Sequence, residues 1–99
     1  MQEEFDIFLL TKTPFSPRSE LCLKLISRSG NARLYLAEDG VYHLLSGVQE
    51  LMHGCTVYAC KEDLEARAVN VREKVIIPDN FYSVLIEDIM EHCKRAYTF

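Results

Sequence analysis

Four cysteines, Cys22, Cys55, Cys60 and Cys93, are the residues of this chain best suited to covalent chemistry. Cys60 stands inside the stretch Cys-Thr-Val-Tyr-Ala-Cys-Lys-Glu-Asp-Leu-Glu-Ala-Arg-Ala, from Cys55 to Ala68. The first half alternates small, β-branched and aromatic residues, a buried-strand pattern. The second half opens acidic and spaces Leu64 and Ala68 four apart, a short-helix pattern. Cys60 is the junction. In an open α/β sheet reacting groups gather there, because the chain leaves the carboxyl end of a strand and a helix N-terminus points at it. A thiolate is the reactive form of cysteine, and a helix N-terminus or a neighbouring cation favours it. That makes Cys60 the candidate nucleophile and Lys61 its candidate thiolate stabiliser. Glu62 and Asp63 act in the opposite sense, since nearby carboxylates favour the neutral thiol. The pattern leaves Cys60 open between a reactive thiol and a small buried residue.

The other candidates are weaker. Cys22 lies on or beside the apolar stripe of a first helix, beyond the reach of the helix dipole, where a free cysteine acts as a small hydrophobe. Cys55 opens a strand and Cys93 falls on the core face of the last helix, both structural positions. His43 is off the main apolar stripe of its helix, which suits a polar-face or interface residue. His53 ends a helix, and His92 has no evident partner. No Cys-x-x-Cys pair, dinucleotide glycine fingerprint, Ser-His-Asp order or paired metal-ligand spacing is present, so neither a cofactor nor a metal is expected.

Composition narrows the class. Ninety-nine residues suit one domain spanning 1–99, and 48% hydrophobic content can fill its core. A formal charge of −4 with dispersed basic residues argues against direct nucleic-acid binding. The apolar runs are too short for a membrane span. The acidic start, Met1-Gln2-Glu3-Glu4, is unlike a secretory signal, so a soluble cytoplasmic chain with reduced thiols is expected. Five tyrosines are many for this length and suit either an interface or core packing.

Short strands alternate with helical patterns along the chain. Phe5–Leu10 reads as a strand buried on both faces. Ser16-Pro17 reads as a cap and first helical position, followed by the stripe Leu21, Cys22, Leu25 and Ile26. Arg33–Ala37 is the second strand. Val41, Leu44, Leu45, Val48, Leu51 and Met52 mark a second amphipathic helix, closed at His53-Gly54. The third strand is Cys55–Ala59 and the third helix Lys61–Ala68. Val75–Ile77 reads as a fourth strand, and Phe81, Leu85, Ile89, Met90 and Cys93 as the core face of a last helix. Ala96–Phe99 can add an edge strand. The order implies a three-layer α/β/α sandwich around a mostly parallel four- or five-stranded sheet. Its carboxyl rim gathers Lys12 to Pro14, Glu38 to Gly40, Cys60-Lys61 and Asp79-Asn80.

Three segments, Leu-Leu-Thr-Lys-Thr-Pro-Phe (Leu9–Phe15), Leu-Ala-Glu-Asp-Gly-Val-Tyr (Leu36–Tyr42) and Val57–Ala68, resemble the TusB/DsrH family of DsrE-like sulfur-relay proteins, in the same order and at similar spacing. The resemblance implies a DsrE-like fold and a cytoplasmic subunit assembled with DsrE-like and DsrF-like partners as a hetero-oligomer. It implies persulfide sulfur passed on by a sulfur-carrier protein, towards 2-thiouridine at the tRNA wobble position or within dissimilatory sulfur metabolism. In the DsrE-like partner, the sulfur-accepting cysteine stands eight residues before the glycine of an Arg-Gly pair. Here that glycine is replaced by Ala68, and eight residues back is Cys60. DsrH-type members also carry a cysteine in the first helix, which Cys22 matches to within one residue, as an auxiliary thiol. TusB-type subunits often lack the acceptor thiol. Two readings therefore stand side by side: a subunit that carries sulfur on Cys60, and a non-catalytic interaction subunit whose cysteines only pack. Self-association in the absence of partners is a further expectation.

Overall fold

The computed structural model describes residues 4–48, 54–71 and 74–99. Among them, four strands form one parallel sheet: β1 (Phe5–Leu10), β2 (Ala32–Leu36), β3 (Cys55–Ala59) and β4 (Cys93–Thr98), in the order β3-β2-β1-β4. Among the described residues, helices α1 (Pro17–Arg28), α2 (Lys61–Ala66) and α3 (Phe81–His92) and a 3-10 helix, Glu38–Ser46, cover its two faces. This is the expected α/β sandwich with a parallel sheet.

Strand alternation decides which side chain meets which layer, because successive residues point to opposite faces. Phe8, Leu10, Leu34, Leu36, Val57 and Ala59 face one side, where they pack with Cys22 and Ile26 of α1, Val41 and Leu44 of the 3-10 helix, and Leu64 of α2. Ile7, Tyr35 and Ala37 face the other side, with Cys60, and pack against Phe81 and Leu85 of α3. Helix α1 starts as its sequence dictates: the Ser16 hydroxyl accepts from Ser19 N–H at 3.2 Å and Pro17 takes the first helical position.

The structure corrects three expectations. Val75–Ile77 is not a full strand. Ile76 makes a single parallel bridge to Tyr58, donating its N–H to Val57 O at 2.9 Å and accepting from Ala59 N–H at 3.0 Å. The fourth strand is instead the last one, which starts three residues earlier than expected, at Cys93, and lies beside β1. Cys93 is thus a half-buried strand residue rather than part of a helix. Finally, the first part of the second helix, Glu38–Ser46, is a 3-10 helix. Its tighter period turns Val41 and Leu44 inward and leaves Leu45 67% exposed. Gly40 makes this possible, since a Cβ there would collide with the Leu10 carbonyl. Leu51, Met52 and His53 lie outside the described residues.

Candidate functional site

Cys60 follows β3 directly and carries on its alternation. Its N–H donates to Leu36 O at 3.0 Å, a ladder-like bond, and its carbonyl accepts from Leu64 N–H at 3.0 Å, the first bond of α2. One residue therefore ends the sheet and starts the helix. Cys60 is 3% exposed as a residue, yet it lines a cavity of about 390 Å³ between α2 and the start of α3. Glu38, Glu62, Asp63, Asp79, Asn80 and Phe81 to Ser83 complete the lining.

The cavity is acidic, and its parts are held differently. Glu38 has a backbone φ of 52°, a left-handed conformation costly for a side chain-bearing residue. Its N–H is captured by Asp63 Oδ2 at 2.7 Å, which holds the turn in place. The other oxygen of Asp63 accepts from Arg67 at 3.3 Å, and Arg67 also donates to Asp39 Oδ1 at 3.0 Å. Arg67 thereby ties α2 to the turn after β2. Glu62 Oε2 accepts from the Cys60 thiol at 3.4 Å.

Burial pushes the Cys60 thiol up to about 11; the Asp63 N–H opposes it, and the carboxylates of Asp63 and Glu62 add to the rise. Between the helix terminus and Lys61 on one side and burial with Glu62 and Asp63 on the other, the second side prevails. A helix of six residues has a small dipole. The Lys61 ammonium is bound to Asp79 at 3.5 Å and borders the adjacent cavity of about 450 Å³, not that of Cys60.

Cys22 is fully buried on the opposite face of the sheet, among the α1 contacts. Burial, then proximity to Cys55, pushes its thiol up to about 12. The structure does not bring Cys22 and Cys60 together. Burial likewise pushes Cys55 up to about 11 and raises Cys93. Among the described residues no group of three His, Cys, Asp or Glu side chains is arranged to hold a metal. None of the described helices is long and apolar enough to cross a membrane.

Two polar clusters escaped the sequence reading. In the first, His43 is buried rather than on a polar face, with Nε2 3.0 Å from Ser19 Oγ and 3.1 Å from Lys12 O. The Ser19 hydroxyl donates to Thr13 O at 2.7 Å. That bond uses the one hydroxyl proton, so Nε2 carries the imidazole hydrogen and donates. The pair pins the β1–α1 loop and is not a nucleophile–base arrangement. In the second, Asp88 of α3 is buried, paired with Arg33 and accepting from Tyr35 OH at 2.6 Å. Tyr35 stacks on Tyr58 at 4.2 Å. This cluster clamps α3 to the sheet and so fixes where Phe81 and Tyr82 meet the Cys60 cavity. A polar residue on the inner face of an otherwise apolar helix was the available signal.

The last feature is the end of α2. Ala68 has φ 53°, Ala68 N–H donates to Glu65 O at 3.2 Å and Val69 N–H to Leu64 O at 3.0 Å. These two bonds make a Schellman motif, in which the left-handed position is normally glycine. A glycine at position 68 would adopt this conformation without the strain that the Ala68 side chain brings.

No curated protein matches the chain. A family model described as DsrH like protein matches residues 12–95, a span that runs from the loop after β1 into β4 and contains Cys22, Cys60, Lys61 and the whole lining of the Cys60 cavity. With most of its length and the entire site inside that match, the chain belongs to the DsrH-like family.

Proposed function

We propose that the chain is a subunit of a sulfur-relay complex and that Cys60 is its sulfur acceptor. Membership of the DsrH-like family implies the sulfur-relay setting and partners of the DsrE-like and DsrF-like kinds. The observation that carries the assignment to Cys60 is its position: a thiol at the carboxyl end of a strand, lining an open cavity, in a member of this family. The sulfur of Cys60 attacks the terminal sulfur of a donor persulfide on a sulfur-carrier protein. A new S–S bond forms, the donor's own S–S bond breaks, and the donor leaves as a thiol. The same exchange in reverse sense passes the sulfur on. The destination is wobble-uridine 2-thiolation of tRNA or dissimilatory sulfur metabolism, in the cytoplasm. In the isolated chain Lys61 stays on Asp79 and Cys22 stays in the core, so Cys60 acts without either. Incubation with a persulfide donor tests this: wild type and Cys22→Ser take up sulfur, and Cys60→Ser does not. Uptake by Cys60→Ser equal to wild type refutes the assignment.

A second reading has its own support. A thiol pushed up to about 11 is ionised only to roughly one part in ten thousand at pH 7. In this reading the chain serves the complex as a docking subunit, Cys60 is packing, and no variant of it changes sulfur flow through the assembled partners.

A further inference from the structure

The Cys60 proton must leave as its sulfur attacks, and one group in the cavity is placed to receive it. We infer that Glu62 is a catalytic residue of the sulfur transfer, taking the Cys60 proton and returning it to the departing thiol of the donor. This rests on Cys60 being the sulfur acceptor. Four carboxylates line the cavity; those of Asp63 and Glu62 both act on the Cys60 thiol, and Glu62 Oε2 accepts from Sγ at 3.4 Å. Asp63 is already occupied by the Glu38 N–H and by Arg67. Asp79 is paired with Lys61. Glu38 has no side-chain bond to the sulfur among the described residues. Glu62 is exposed and shares its oxygens with no cation among the described residues, so it can exchange protons with the donor and with water. Free thiolate is scarce in this cavity because burial and the same carboxylates oppose it. Removing the proton during attack is then the open route, and a base in contact with the proton is what that route requires.

The step balances without an oxidant or reductant. The Cys60 S–H proton passes to Glu62 Oε2 as the sulfur electron pair bonds to the terminal sulfur of the donor R–S–SH. The R–S to sulfur bond breaks, its pair leaves on the donor sulfur, and that sulfur takes the proton back from Glu62. The sum is Cys60–SH plus R–S–SH giving Cys60–S–SH plus R–SH.

The test follows the initial rate of sulfur loading from glutathione persulfide for wild type, Glu62→Gln, Glu62→Ala and Cys60→Ser, from about pH 6 to about pH 9. Glu62→Gln should load roughly a hundredfold more slowly at neutral pH. Its rate should climb about tenfold per pH unit, since only free thiolate reacts, while the wild-type profile is flatter. Acetate should restore part of the rate of Glu62→Ala. Loading by Glu62→Gln at or above the wild-type rate, with Cys60→Ser inactive, overturns the role of Glu62 alone, because the carboxylate then only repels negative charge. Loading by Cys60→Ser at the wild-type rate overturns the acceptor assignment underneath it.

Discussion

His43 shows how burial turns a titratable residue into a structural one. The residue is 3% exposed, its Nε2 is engaged with Ser19 and Lys12, and burial holds its pKa below the usual 6.5 despite the Lys12 carbonyl. The unfolded chain then binds the proton more readily than the folded one. The stability this ring contributes is complete above pH 6.5 and is lost as pH falls below it through the lowered folded value. Urea unfolding at a series of pH values should show that loss in wild type and not in His43→Gln. An equal loss in the variant assigns it to other groups. Cys60 and His43 also differ in what the sequence could reveal. Cys60 was legible because an alternating strand runs straight into a Lys-Glu-Asp helix start, so its place at a rim followed from spacing. The balance of charges on it was not legible, since it depends on how deeply Cys60 is buried and on Asp63 and Glu62 lying against the sulfur. His43 was misplaced because an α-helical period was applied to a 3-10 helix.

The elements were legible where local rules dominate and less so where distant contacts decide. The Ser16-Pro17 start of α1 is a local signal, and the structure follows it. Val75-Ile76-Ile77 carries a strand composition, but a strand needs a partner along its length, and only Ile76 finds one. The edge beside β1 goes instead to Cys93–Thr98, whose outward Lys94 and Arg95 are the kind of charged residues that guard an open edge. The end of α2 offers a direct test of local backbone cost. Ala68 is exposed, makes no core contact and sits at φ 53° in a Schellman motif. Ala68→Gly should remove left-handed strain of about 1–2 kcal/mol and cost somewhat less in unfolded-chain entropy. The expected net gain is about 0.5–1 kcal/mol in urea or thermal unfolding. A destabilised variant would show that the Ala68 methyl makes a contact that outweighs the strain.

At the scale of the whole molecule, the sheet divides the chain into two halves that behave differently. One face buries Cys22 under α1 and the 3-10 helix. The other presents Cys60 at the edge of α3. The last helix was expected to bury Ile89 and Met90, but it turns in Phe81, Leu85 and Asp88, because the Asp88 contacts with Arg33 and Tyr35 set its rotation. Tyr82, Ile86, Ile89 and Met90 then form an outward apolar stripe, with Met90 80% exposed. An exposed apolar stripe of this kind suits burial against another protein chain. Ile86→Glu combined with Met90→Glu should leave the isolated chain's stability within about 0.5 kcal/mol. It should weaken co-purification with DsrE-like and DsrF-like subunits, and an unchanged complex would place the interface elsewhere. The account turns above all on which sulfur atom of the chain receives the transferred one. Site-resolved mass spectrometry of the chain after exposure to a persulfide donor measures this directly. The account predicts the mass of one added sulfur atom on the peptide carrying Cys60, with Cys22 unmodified in the folded chain. Added sulfur on Cys55 or Cys93 alone, or on none of the four cysteines, would contradict it.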